Sequence, residues 1–336
     1  MAKKVGDRTL EFSERINVIS YGNVVGKFEG EGPLKSCFDI IVNDEYFGEK
    51  TYEKAETKMQ QTALNSALQK GLLKISDLNL IASGDLLNQC ISSSYSVRDN
   101  DVPFIGLYGA CSTMALSVIV ASMSVECGYS QYAAGVTSSH FCSAERQFRQ
   151  PLEYGGQRTP SAQRTVTASA ALIVGKKKTN ITVKRIAIGS VIDFLVTDAN
   201  NMGAAMAPAA VDTVVHYFND TGTKPQDYDM ILSGDLGSVG ASIFRDMAAE
   251  KGYDMQNIYN DCGLMIFDNK KQDTHAGGSG CGCSGAVLTG YVLPRLASGE
   301  LKNVLFMSTG ALMSTTASQQ GESIPAVAHL INFTGE

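Results

Sequence analysis

The feature that most constrains this chain is that it repeats itself. ISDLNLIASGDLL, beginning at Ile75, and PQDYDMILSGDLGS, beginning at Pro225, share one plan: a short linker, an apolar run, then Ser-Gly-Asp-Leu. The tetrapeptide starts at Ser83 and again at Ser233, 150 residues later. Each copy follows a helix-like segment, Tyr52 to Lys70 in the first and Ala209 to Phe218 in the second. Downstream, Gly109-Ala110-Cys111-Ser112 opens a helix-like run to about Cys127-Gly128, followed by the strand-like QYAAGVTSS. Its match, Gly282-Cys283-Ser284-Gly285, opens a run ending near Ser298-Gly299, followed by NVLFMSTGA, at an offset of 172. Loops of different length account for the change of offset. Two matched pairs in the same order predict an internal duplication.

Strand and helix signals alternate in each copy, which predicts an α/β architecture with helices covering buried sheets. The expected division is residues 1–175 and 176–336, two similar halves with buried mixed sheets in a layered arrangement. A site at their junction would lie where helix N-termini from both halves converge. With 336 residues and 44% hydrophobic content, the chain can bury a large core.

The bulk numbers also exclude some functions. A net charge of −6 argues against a nucleic-acid partner. The basic stretch KKKTNITVKR, from Lys176, reads as a solvated turn between two strands. The most apolar run, Met114 to Val125, has twelve residues, whereas a membrane span needs about 20. The N-terminus lacks the apolar region of a secretory signal. We therefore expect a soluble, cytoplasmic chain, peripheral where it meets a membrane. Its eight cysteines show no zinc spacing, and Cys281-Gly282-Cys283 is too tight for the usual half-site. Free thiols are the expectation in such a compartment.

Cys111 sits at the start of a helix. Unpaired amides and the positive end of the helix dipole favour a thiolate or a bound carboxylate there. The other reading is packing, since free cysteine behaves as a small hydrophobe. The repeat gives Cys283 a related setting in the second half.

Three segments carry a resemblance: LYGACSTMALSV, EYGGQRTPSAQRTVTASAAL and HAGGSGCGCSGAVLTGYVLPRLASGELKNVLFMSTGALMS. A small-residue turn followed by Ala-Cys-Ser opening a buried helix resembles the nucleophile segment of thiolases and ketoacyl-ACP synthase III. Over essentially its full length, the chain resembles the stage V sporulation protein AD family of spore-forming bacteria. The resemblance implies a thiolase-like fold and the binding of dipicolinic acid on its way into the forespore. It also implies work beside other sporulation membrane transport proteins, at the spore inner membrane. A homodimer is expected.

Departures from the enzymes decide between catalyst and binder. Condensing enzymes of this type need a Cys with His and Asn, or with His and a second Cys, to activate the thiol and form an oxyanion hole. The stretch matched to the synthase histidine reads YNDCGLMIF, with Asn260, Asp261 and Cys262. The later Asn falls on Gly278-Ser279-Gly280-Cys281, and the final thiolase Cys-x-Gly on Ser308-Thr309-Gly310. An ionised Asp261 beside Cys111 would oppose a thiolate and an oxyanion. The expected reading is therefore a non-catalytic pocket formed by Cys111, Ser112, Asp261, Cys262 and Ser279. The alternative is an acyl-transfer enzyme with Cys111 as nucleophile and His275 as substitute base; His275 reads equally as a solvated loop residue.

A dianionic ligand calls for donors. Arg146, Arg149, Arg158 and Arg164 are four of the ten arginines and fall within 19 residues. Arg149, Arg158 and Arg164 are the expected carboxylate partners; the other reading is a surface or dimer-contact loop paired to Glu145 and Glu153. No resident cofactor is expected. Ca²⁺ could travel with the ligand and Asp261, although the chain has no dedicated calcium loop. The Gly-rich HAGGSGCGCSG has no Walker lysine. Asp85 and Asp235, which close the two Ser-Gly-Asp-Leu copies, are expected as turn or cap residues.

Overall fold

The computed structural model describes residues 2–148, 158–255 and 257–336. The repeat appears in it as two mirrored sets of five strands. The first set is β1 (Thr9–Gly26), β2 (Leu80–Gly84), β3 (Phe104–Gly106), β4 (Tyr132–Ser139) and β5 (Ala168–Gly175). The second is β6 (Ile181–Ile188), β7 (Met230–Ser233), β8 (Tyr259–Asp261), β9 (Asn303–Ala311) and β10 (Ala326–Gly335). The order across the hydrogen-bonded ladder is β3-β2-β4-β5-β1-β6-β10-β9-β7-β8, so the two sets are related by inversion about the β1–β6 pair. In each set, two parallel pairings lie at the outer edge (β2 with β3 and β4; β7 with β8 and β9), and antiparallel pairings lie inward.

β1 ties the sets together. Its Thr9–Asn17 portion pairs with β6, with a register break between Glu11 and Ile16, and its Asn17–Val25 portion pairs with β5. Bulges bend a strand and increase its local twist. One long strand thereby serves both half-sheets.

Four helices define the layers: α1 (Tyr52–Gly71), α2 (Thr113–Glu126), α3 (Met202–Thr221) and α4 (Cys281–Val287). α1 covers the outside of the first half-sheet, packing on β1, β4 and β5. α3 covers the outside of the second, on β9 and β10. Between the half-sheets lie α2 and α4; α2 touches β2, β4 and β5 on one side and β9 and β10 on the other. The helical path of α4 runs on through a π-turn at Leu288–Val292 to Leu293–Ser298.

Local sequence accounts for these elements. α1 and α3 each span 20 residues, starting 150 apart. Thr51 caps α1 by accepting from the Lys54 amide, and Asn201 caps α3 by accepting from the Ala204 amide. Both end on a left-handed residue, Leu72 and Gly222. The turns that follow are twins: Asp77 accepts from the Lys74 amide at 2.7 Å, and Asp227 from the Lys224 amide at 2.8 Å.

α2 is the apolar run Met114 to Val125, and it is buried on nearly every side; Met114, Val118, Ile119 and Val125 are 0–1% exposed. Each such side chain contributes about 1.5–3 kcal/mol of burial. Two of its three serines bond back to the helix: Ser117 donates to the Met114 carbonyl and Ser124 to that of Ala121. The basic stretch after β5 is the solvated turn before β6, with Lys176 and Lys178 paired to Glu14 and Glu336. No described helix is long and apolar enough to cross a membrane.

Candidate functional site

The two inner helices start close to one another, and a cavity opens there. It holds about 390 Å³ of empty space, part of it open to solvent, and is narrow. It is a slot rather than a chamber. Leu86, Tyr108, Ala144, Phe148, Met202 and Met313 form its largely apolar walls. Its polar groups are few: the Cys111 thiol and the hydroxyls of Thr165 and Ser279.

Cys111 enters from a tight turn, Ala110–Ser112, that leads into α2. Ala110 is held at φ +48°, a left-handed conformation that costs a non-glycine residue on the order of 1 kcal/mol. The opposite strand end allows this turn to sit close. A Cβ on Gly310 would meet the Gly109 carbonyl oxygen at 2.3 Å and the Ser112 amide at 2.9 Å. Only glycine lets the end of β9 press on the backbone beside Cys111.

Ser279 arrives on a two-stranded ribbon. Gly278–Ser279 pairs in parallel with Arg164–Thr165, so Ser279 and Thr165 lie side by side on the cavity wall. Gly280, at φ +108°, then turns the chain into α4 and points its amide at Asp235 Oδ2, at 2.8 Å.

Asp235 lies in the turn after β7, at a strand end as expected, and its partners there are distant in sequence. It closes the second Ser-Gly-Asp-Leu copy, is fully buried, and its carboxyl interacts with the Cys111 thiol. Thr309, at the end of β9, donates to its Oδ1 at 2.8 Å. Burial pushes the Asp235 carboxyl up to about 7. The Gly280 amide, the Cys111 thiol and the Thr309 hydroxyl pull it back down, while the charge of Asp261 raises it further.

Asp261, expected against Cys111, has other work. Its Oδ2 accepts from Ser233 at 2.6 Å and from the Leu236 amide at 2.8 Å; its Oδ1 accepts from the amides of Gly237 and Leu264, at 3.0 and 3.3 Å. It caps the short helix Cys262–Ile266 and ties β8 to the turn after β7. Four donors occupy it, and it is not on the cavity wall. The acid beside Cys111 comes from β7 rather than β8 because β7 is the strand next to β9, whose end abuts the Cys111 turn.

The remaining expected residues separate. Cys262 is fully buried away from the cavity. The Ser112 hydroxyl turns inward to the Gly109 carbonyl at 2.6 Å. Arg158 bonds the Asp273 carbonyl at 2.6 Å and pairs with its carboxylate at 3.3 Å. Arg164 lies between the rings of Phe28 and Phe141, 4.2 and 3.7 Å from their centroids, and faces a second cavity beside Glu29. Alternation along the ribbon explains this, since Thr165 points one way and Arg164 the other. Arg146 pairs with Glu53. Arg149 lies outside the described residues.

The four histidines of the chain are all placed elsewhere. His275 pairs with Asp273 at 3.0 Å, His140 bonds the Glu45 carbonyl, His216 bonds the Asp212 carbonyl, and His329 accepts from the Gly189 amide. None is on the cavity wall. Among the described residues, no group of three or more His, Cys, Asp or Glu could hold a metal ion.

Asp85, the equivalent of Asp235, is the cap its sequence implied. It accepts from the amides of Leu87 and Ser93 and from the Ser93 hydroxyl. Around it, Gln60 bonds Ser83, Ser93, Ser96 and Ser138, and Glu56 accepts from Ser138 and Ser143. The first half thus fills the equivalent place with a serine network.

The meeting of Asp235 and Thr309 beside Cys111 was not foreseen from the sequence, although both residues carried a signal. One lies in the repeat, and the other in the Ser-Thr-Gly matched to a thiolase cysteine.

A family profile described as stage V sporulation protein AD matches residues 6–334. The stage V sporulation protein AD of Bacillus subtilis strain 168 is 42% identical over 331 residues, 98% of each chain. Among solved structures, 3-oxoacyl-[acyl-carrier-protein] synthase III from Aquifex aeolicus is similar with TM-score 0.57 at 11% identity, covering 95% of this chain and 99% of that one. An OleA variant from Xanthomonas campestris gives 0.61 at 12%, over 96% and 99%. The Acat5 thiolase from Ascaris suum, solved with coenzyme A, gives 0.58 at 11%, over 96% and 100%. At these identities the structures show a shared fold, which is thiolase-like.

Proposed function

The chain belongs to the stage V sporulation protein AD family, and from that premise we propose that it binds dipicolinic acid, free or as its calcium chelate, without catalysis. The ligand lies in the slot over Cys111 and Ser279, and binding supports its uptake into the developing spore. A flat aromatic ring suits a narrow, apolar-walled slot with a few polar groups at one end. Calcium, where it accompanies the ligand, is cargo.

The observation that carries this reading is the partner of Cys111. A condensing thiol needs a base that can accept its proton and donors for an oxyanion. Here the interacting group is a buried carboxyl that also holds the Gly280 amide and the Thr309 hydroxyl. A carboxylate in that position opposes negative charge on sulfur or on an acyl oxygen.

The chain works as a homodimer and beside membrane transport proteins, peripheral to the spore inner membrane. Support for the dimer is the edge strand β3, which pairs only with β2 among the described strands and leaves Ile105 42% and neighbouring Tyr108 46% exposed. Such an edge invites pairing with another strand.

Titration calorimetry with dipicolinate, with and without Ca²⁺, tests the binder. Micromolar saturation that Cys111→Ser weakens is the expected result; no heat at millimolar ligand rejects it. A second reading, acyl transfer, is favoured by the strained turn that exposes Cys111 to the slot. A stable acyl adduct on Cys111, found by mass spectrometry after incubation with acyl-CoA donors, would establish that reading instead.

A further inference from the structure

Asp235 is fully buried behind the wall of the slot. Its Oδ2 accepts from the amide of Gly280, the residue after Ser279 on that wall, and its carboxyl interacts with the Cys111 thiol. A ligand carboxylate seated on Cys111 and Ser279 therefore rests one bonded group away from a second carboxyl. The titratable groups facing Asp235 are Cys111 from the turn before α2, Asp261 and Cys262 at the end of β8, and Cys281 and Cys283 from α4. Among the described residues these are acids and thiols, with no cation. Arg164, the nearest basic residue on the ribbon, faces the other cavity.

Two carboxylates brought together in a low-dielectric site do not both stay ionised. Resting on the reading above, we propose that the slot takes up one proton with each dicarboxylate it binds, and that Asp235 is the residue that holds it. The step balances simply. The Asp235 carboxylate takes one proton from solvent as the dianion binds, which removes the repulsion between the two carboxylates across the Cys111 and Gly280 groups that separate them. No metal or further co-reactant enters. Asp235 thereby selects between forms of the ligand, favouring a carboxylate that arrives with a proton over a bare dianion.

Burial already raises the Asp235 carboxyl to about 7 in the empty protein. Below that range Asp235 carries its proton before the ligand arrives, so affinity is flat. Above it, each pH unit lowers affinity about tenfold and brings proton uptake close to one per ligand.

The test is calorimetry of the full chain with disodium dipicolinate in EDTA, between about pH 6 and about pH 8.5. Each pH is run in two buffers of different ionisation enthalpy, phosphate and Tris. The expected result is heat that depends on the buffer at the upper pH and not at the lower, with affinity falling across the range. Saturable binding with buffer-independent heat at every pH overturns the proton uptake and leaves the ligand reading standing. No heat at any pH overturns both. Asp235→Asn, whose amide donates without titrating, is expected to bind with nearly the same affinity at both ends of the range. If its affinity still falls with pH, the proton belongs to another group and the assignment to Asp235 fails.

Discussion

Thr309 and Asp235 bond twice. The Thr309 hydroxyl donates to Asp235 Oδ1 at 2.8 Å, and the Asp235 amide donates to Thr309 Oγ1 at 3.2 Å. The pair joins the end of β9 to the turn after β7, and so fixes the carboxyl against Cys111. Thr309→Val keeps the shape and removes the hydroxyl. Urea unfolding is expected to show a loss of about 1–3 kcal/mol. With one donor gone, the Asp235 carboxyl moves further up, so the pH at which dipicolinate affinity begins to fall moves up as well. An unchanged midpoint together with unchanged stability would mean that the hydroxyl contributes nothing to either.

The thiols are expected to react in the order of their surroundings. Cys127 is exposed, Cys111 is 5% exposed on the slot wall, and Cys262, Cys281 and Cys283 are 0% exposed. Burial holds these last three well above the ordinary thiol value. Timed iodoacetamide labelling read by peptide mass spectrometry should show Cys127 first, Cys111 slowly, and the three buried thiols only on unfolding. Asp235→Asn should raise the Cys111 rate several-fold, because the thiolate then forms beside an amide rather than a carboxylate. A slower rate in that variant would mean that Asp235 promotes the thiolate.

Glu56 sets a pH dependence of stability independent of the ligand. Burial, with Asp85 adding, pushes its carboxyl up to about 8. The folded chain therefore holds this proton more tightly than the unfolded chain. Stability is full below the ordinary carboxylate range, falls as pH rises through about 8, and levels off beyond. Glu56→Gln keeps an acceptor for Ser138 and gives Ser143 a donor. It is expected to flatten this slope, which amounts to on the order of a few kcal/mol between about pH 5 and about pH 9. Chemical denaturation at several pH values checks it; superimposable profiles for the two proteins would place the slope elsewhere.

Much of the architecture was legible because duplication leaves a mark at every level, from the Ser-Gly-Asp-Leu copies to the twin Asp77 and Asp227 turns. Cys111 was legible as the residue at an inner-helix start, whereas Ser279 came from the resemblance and the second helix, read from Gly282, starts at Cys281. The acid was not legible, because the same tetrapeptide serves two ends. Asp85 meets the Ser93 hydroxyl and amide, while Asp235 meets Cys111, Gly280 and Thr309, which lie 45 residues or more away along the chain. Local spacing does not carry such a meeting. The arginines misled for a related reason. Their clustering is real in sequence, but on a ribbon alternate side chains take opposite faces, and Arg164 ended between two phenyl rings.

The long bent strand β1 has a mechanical consequence. Because one strand pairs with both half-sheets, apart from the break between Glu11 and Ile16, a clamshell motion of the lobes would have to disrupt that shared ladder. Tyr108 and Met202, which line the slot, are then side chains whose rotation would widen it without moving the lobes.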